Sequence, residues 1–307
     1  MGQVRQAIRP GPEPVARLHH ALEQLYATYD ARFLDSDPLK FPHRYSRPQD
    51  REFAAFVAAT FAFGNVAGIF RTLERILSRF GKRPVQKLLT DGAGSLKEWK
   101  DFKHRWITHS DLVVFLETLR GIYASHGSLE GFFYDGPKAD RDHRSAIHSF
   151  LKRLSGMLRI TNGGHLTRGL RFLVPAPNGG SALKRLNLSL RWVVRRKDPD
   201  LGLWRSVSPG DLYLPIDVHL SRILRYVGLT ARKSADWKMA EEVTGRLKGM
   251  DPSDPVRFDF AISRLGILGR CLHRWDASIC SSCPLEGLCL HATCSPNRRL
   301  DVVDAMS

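Results

Sequence analysis

A chain of 307 residues is long enough for about two domains with a substantial core. Its 47 Lys+Arg against 31 Asp+Glu give a net charge of +16 and a pI of about 10.0. A surplus that large points to a polyanion, with nucleic acid the first candidate. A membrane partner is not expected. The opening MGQVRQAIRPGPEPVA lacks the apolar core of a signal peptide. The longest uncharged apolar stretch, Phe53 to Phe70, is interrupted by Thr60, Gly64, Asn65 and Gly68 and reads as a buried helix with a break near Gly64–Asn65.

In chain order, residues 1–16 read as a disordered tail. Val15, Leu18, Leu22, Leu25 and Tyr29 then recur at helical spacing. DSDPLKFPHRYSRPQD, with three prolines, reads as a connection. Asp50 is placed to cap the apolar helix, with Glu52 in its first turn. NVAGIFRTLERILSRFGKRP is amphipathic and stops at Gly81, with Pro84 beyond. A further helix starts at Ser110 or Asp111 and turns into a second. After the polar break YDGPKADRD, HRSAIHSFLKRLSGML again has helical period. No segment alternates with period two, so the chain reads as all-α.

The turn PAPNGGS leads into a helix whose apolar side carries Leu183, Leu186, Leu190 and Val194. Lys184, Arg185, Arg191, Arg195, Arg196 and Lys197 make it strongly basic, and Gly179, Gly180 and Ser181 at its start suit a phosphate contact. An ordinary capped helix with a solvated basic face is the plainer alternative. Beyond the loop DPDLGLWRSVSPGD, Leu220, Ile223, Leu224 and Val227 form a helical stripe ending at Gly228. Asp217 falls at that helix's first position, where a carboxylate accepts N–H groups at the positive end of the dipole.

All five cysteines lie between Cys271 and Cys294. Their odd number and the missing export signal argue against a disulfide framework, and their clustering argues for a local metal site. Four thiolates with one C-x2-C step suit an iron–sulfur cluster; a four-cysteine zinc site usually pairs two such knuckles and remains the alternative.

Three segments together carry a resemblance. PIDVHL resembles the VDTHV/VDVHM segment of the helix–hairpin–helix DNA glycosylases, the superfamily of endonuclease III and 8-oxoguanine glycosylase. NGGSALKRLNLSLRW is similar to that superfamily's hairpin and following helix, and DREFAAFVAATFAFGNVAGIFRTLERI to its early helix. The cysteines, spaced C-x8-C-x2-C-x5-C, follow the aspartate as the C-x6-C-x2-C-x5-C loop does in endonuclease III. The resemblance runs from about Asp50 to Cys289 and is nearest to an uncharacterised bacterial branch, a domain of unknown function.

The resemblance implies a two-domain helix–hairpin–helix glycosylase architecture with an iron–sulfur loop. Residues 50–211 would form a six-helix domain, and 17–49 with 212–295 a discontinuous iron–sulfur domain, followed by a tail at 296–307. It implies a DNA glycosylase that flips out and excises a damaged or modified base, with Asp217 catalytic. Lys184 falls on the lysine that gives bifunctional members their AP-lyase activity. Cys271, Cys280, Cys283 and Cys289 would hold a 4Fe–4S cluster, with Cys294 left unassigned. Gly179, Gly180, Ser181, Arg185, Arg270 and Arg274 would contact double-stranded DNA. The family's gap-filling residue aligns near Ala62, between Phe61 and Phe63, either of which is an aromatic wedge or simply core. A monomer in the cytoplasm, at the bacterial nucleoid, is expected. The competing reading is a non-catalytic helix–hairpin–helix nucleic-acid binder with a structural metal.

Overall fold

The computed structural model describes residues 12–93, 99, 101–135, 142–176 and 179–290. It is 62% helix and 2% strand, in keeping with an all-α reading. Helix α1 (Pro12–Thr28) begins inside the stretch expected to be a tail, whose first eleven residues lie outside the described ones. The tail expected at 296–307 and Cys294 also lie outside them. Among the described residues no helix is long and apolar enough to cross a membrane.

Contacts divide the chain into two compact units. The terminal unit comprises Met1–Phe33, Ser181–Asn187 and Leu212–Ser307; the central unit comprises Leu34–Gly180 and Leu188–Asp211.

The central unit contains α2 (Pro48–Thr60), α3 (Val66–Leu77), α4 (Pro84–Asp91), a two-strand hairpin of β1 (Lys103–His104) and β2 (Ile107–Thr108), α5 (His109–His126), α6 (Leu129–Tyr134), α7 (His143–Thr161), α8 (Arg168–Leu173) and the later turns of α9 (Lys184–Val194). The uncharged run of α2 is explained by its surroundings. Phe53, Ala54, Ala55, Val57, Ala58 and Ala59 are fully buried, and Phe56 packs on Phe115 and Phe150. A helix enclosed on all sides has no polar face to display.

Two acids depart from the sequence expectation. Asp50 does not cap its own helix, which starts at Pro48 with Arg47 in the capping position; its Oδ1 accepts Val85 N–H at 3.0 Å, at the start of α4. Glu52 lies beyond the first turn and is buried. It accepts Leu129 N–H (2.9 Å) and Glu130 N–H (3.1 Å) at the start of α6, together with the Tyr123 hydroxyl (2.9 Å) and Trp204 Nε1–H (2.6 Å). Both carboxylates thus satisfy the orphan donors of neighbouring helices. Helix α5 starts slightly earlier than expected, in a reciprocal capping box between Thr108 and Asp111.

The basic face of α9 is also corrected. Arg191 and Arg195 are buried and share Asp200, Arg191 through Nη2 at 3.1 Å. They are charges of the interior, held by a carboxylate from the following loop.

The terminal unit holds α1, the first turn of α9, α10 (Val218–Tyr226), α11 (Trp237–Lys248), α12 (Asp259–Ile267) and the short α13 (Ala277–Cys280). Helix α12 packs on both α1 and α10. Tyr26 meets Phe258 edge-on, while Arg257 lies over Tyr26 and pairs with Glu23 at 2.9 Å and Asp251 at 3.0 Å. Leu22 and Leu25 of α1 and Leu220 and Leu224 of α10 are among the apolar side chains buried in this unit.

Candidate functional site

Lys184 is the first residue of α9, and Asp217 immediately precedes α10; both belong to the terminal unit. Asp217 has extended backbone, and its Oδ1 accepts Leu220 N–H at 2.8 Å, the expected N-cap. That bond orients the carboxylate, and its second oxygen, Oδ2, lies 3.9 Å from Lys184 Nζ. The separation is that of an ion pair and is too long for a direct hydrogen bond. Both side chains are partly exposed, 29% for Lys184 and 43% for Asp217, so solvent can reach them.

The turn before Lys184 differs from the reading in which Gly180 and Ser181 open the helix. Leu183 adopts φ +48°, and Ser181 forms an antiparallel bridge with Asp236. Ser181 Oγ accepts Leu183 N–H at 3.2 Å, so this hydroxyl is engaged locally and α9 starts three residues later. Asn187 Nδ2 donates to the Ala182 carbonyl at 3.0 Å and ties the turn to the helix. Gly179 N–H closes a turn on the Ala176 carbonyl at 3.2 Å, and Gly180 has φ +68°, which favours glycine. Arg185 is half-buried, and desolvation draws its guanidinium down to about 10, still cationic at neutral pH. Arg270 and Arg274 are exposed, the former within electrostatic reach of Tyr29 and the latter of Asp276.

Cys271, Cys280, Cys283 and Cys289 are half-buried thiols of the terminal unit. Burial raises the Cys271 and Cys283 thiols, and both are raised further by Cys280 and Cys289. Backbone N–H groups of His273 and Leu285 favour the thiolates of Cys271 and Cys283 respectively. Among the described residues, however, no three His, Cys, Asp or Glu side chains converge closely enough to ligate a single ion. Four thiols with no histidine among them are the donor chemistry of an iron–sulfur cluster and of a four-cysteine zinc site alike, so the donor set fits either group.

A connection invisible to sequence spacing joins this loop to α10. His219, two residues after Asp217, stacks on His273 with ring centroids 5.4 Å apart, and Nδ1 of the first lies 3.2 Å from Nε2 of the second. Leu290 N–H donates to the Tyr226 carbonyl at 2.8 Å at the other end of α10. The helix that carries Asp217 is therefore tied to the cysteine loop at both ends. In the central unit, Phe61 is fully buried and Phe63 is packed among His104, Trp106 and Phe172, so Phe61 is core.

Comparison with curated proteins and with solved structures finds no match. The sequence profile of one family, described as "Protein of unknown function (DUF2400)", matches residues 37–268, a span that includes Lys184 and Asp217 and ends just before the first cysteine. The match covers well over half of the chain, which therefore belongs to the DUF2400 family.

Proposed function

We propose that the chain is a DNA glycosylase of helix–hairpin–helix type that excises a base from a nucleotide turned out of the duplex. The approach of Lys184 Nζ to Asp217 Oδ2 carries this reading, because base excision needs an anion beside C1′ and a nucleophile within reach of it. As the C1′–N bond breaks, its electron pair leaves with the base, which takes up a proton, and positive charge grows on the sugar. Asp217 stabilises that charge. In the bifunctional version Lys184 gives up a proton through Asp217 to the departing base, which leaves Asp217 an anion again as the Nζ lone pair bonds to C1′. In the monofunctional version Asp217 takes the proton from water, and the product is an abasic site.

Cys271, Cys280, Cys283 and Cys289 are the residues that would hold a 4Fe–4S cluster, which would staple the loop and leave the base chemistry to Asp217 and Lys184. Arg270 and Arg274 on that loop, with Arg185 and the Gly179–Ser181 turn, supply donors for backbone phosphates.

The capping bond of Asp217 to Leu220 supports the competing reading, in which the aspartate serves only its helix and the protein binds nucleic acid without catalysis. A panel of duplexes, each with one damaged or modified base, distinguishes the two. Base release by the wild-type protein that disappears in Asp217→Asn is expected. Salt-sensitive binding with no release from any substrate would instead establish the binder. Borohydride trapping of a covalent DNA adduct, absent in Lys184→Gln, is expected of the bifunctional version.

A further inference from the structure

The strongest unassigned feature is a pocket of about 490 Å³ in the central unit. One wall is α3, which contributes Arg71 and Arg75, four residues apart and hence on one face. The other is the β1–β2 hairpin, which contributes Lys103 and Arg105. Gly64, Asn65 and Gly68 line the end nearest the start of α3, where Asn65 caps the helix through Gly68 N–H at 2.7 Å. Gly64 has φ +101°, a conformation that a side chain would strain, and its turn brings the chain back over the hairpin.

A buried bond network fixes the two walls together. His104 shares Nδ1 with the Thr72 hydroxyl at 2.7 Å and donates Nε2–H to the Phe63 carbonyl at 3.2 Å. Two of the cations are held by aromatic rings and a carbonyl. Arg75 lies 5.7 Å over Phe102 and donates to the Asp101 carbonyl at 3.4 Å, while Arg105 lies 5.0 Å over Trp106. Among the described residues no carboxylate lines the pocket, and none forms an ion pair with any of the four cations. The one acid of α3, Glu74, pairs instead with Arg44 at 2.8 Å.

Four like charges converging on one concavity repel each other unless an anion joins them. A single phosphate would meet one pair of cations, whereas a polymer with repeating phosphates can meet both walls. We propose that this pocket is a second nucleic-acid contact, built to grip the sugar–phosphate backbone of a DNA strand. It rests on the reading that DNA is the partner but not on excision, and it shares no residue with the Lys184–Asp217 pair.

The test is binding of a fluorescent, unmodified DNA duplex to the full chain across a salt series. Arg71→Gln/Lys103→Gln removes two pocket cations, both exposed. Lys152→Gln/Arg159→Gln removes the same charge from the exposed face of α7. The pocket variant is expected to bind roughly 10-fold more weakly and to lose about 2 from the salt slope, with its thermal melt unchanged. The α7 variant is expected to match wild type. Equal behaviour of the two variants would overturn the proposal, as would displacement of the duplex by millimolar inorganic phosphate, which would mark a site for small phosphates. Base release assayed on the same variants reports on excision separately, because loss of excision with intact pocket-dependent binding would discredit only the glycosylase.

Discussion

Asp217 divides its two carboxylate oxygens between two tasks: Oδ1 caps α10 at Leu220 N–H, 2.8 Å away, and Oδ2 faces Lys184 Nζ at 3.9 Å. One residue therefore serves both the fold and the proposed chemistry, and substitution can separate them. Asparagine caps a helix about as well as aspartate but carries no charge. Asp217→Asn is expected to stay within about 0.5 kcal/mol of wild-type stability while excision falls roughly 100-fold or more. Asp217→Ala loses the cap as well and should cost about 1 kcal/mol in urea unfolding. Unchanged base release in the asparagine variant would remove Asp217 from the chemistry.

What the sequence discloses depends on how far each partner lies along the chain. Asn65 and Asp217 are legible as helix starts because each bonds an N–H three residues on. Asp50 and Glu52 look like the acids of their own helix, yet their partners lie 35 and 77 residues away, and spacing cannot reveal them. Arg191 and Arg195 read as a solvated face because Asp200 sits in a polar loop that only the folded chain brings back. The nearness of Lys184 to Asp217 follows from resemblance alone, since no local period relates them. Neither the His219–His273 contact nor the basic pocket has a sequence signature, because each joins segments far apart in the chain.

Glu52 makes the central unit's stability depend on pH. Burial raises its pKa above 4.5, against the opposing effect of its hydrogen-bond donors. An acid whose folded pKa is raised holds its proton longer in the native state than in the unfolded chain. Its contribution therefore falls as pH climbs from the unfolded value through the folded one and is level beyond it. Glu52→Gln is expected to abolish that slope. The amide keeps one accepting oxygen for four donors, so the variant should also lose about 1–3 kcal/mol at neutral pH, readable from chemical denaturation at several pH values.

Asp200 holds two buried guanidinium groups, and its removal takes a carboxylate from both. Asp200→Ala is expected to destabilise the protein by about 3–5 kcal/mol, the usual result of breaking a buried ion pair by removing one partner. Replacing the whole group, as Arg191→Met/Arg195→Leu/Asp200→Ala, should cost less than the single change because none of the three charges is left buried without the others. Urea midpoints of the two variants give the order directly, and the reverse order would mean that the triad stabilises as a unit.

The cysteine loop and α10 should fail together. The loop reaches α10 through His273 on His219 and through Leu290 N–H on the Tyr226 carbonyl, so whatever orders the four thiols also steadies the helix behind Asp217. Protein purified without oxygen is expected to be brown and to hold about four irons per chain. Serine at Cys271, Cys280, Cys283 or Cys289 should remove the colour. Stripping the iron should lower the melting temperature and speed hydrogen exchange in both 218–226 and 271–290, because the binding energy of a structural metal is also folding energy. Exchange confined to the loop would show α10 to be independent of it, and a colourless protein with one zinc per chain would replace the cluster with a mononuclear site. Should excision persist after iron removal while the melt falls, the cluster's part is to hold the fold and Asp217 needs only its own cap to stay in place.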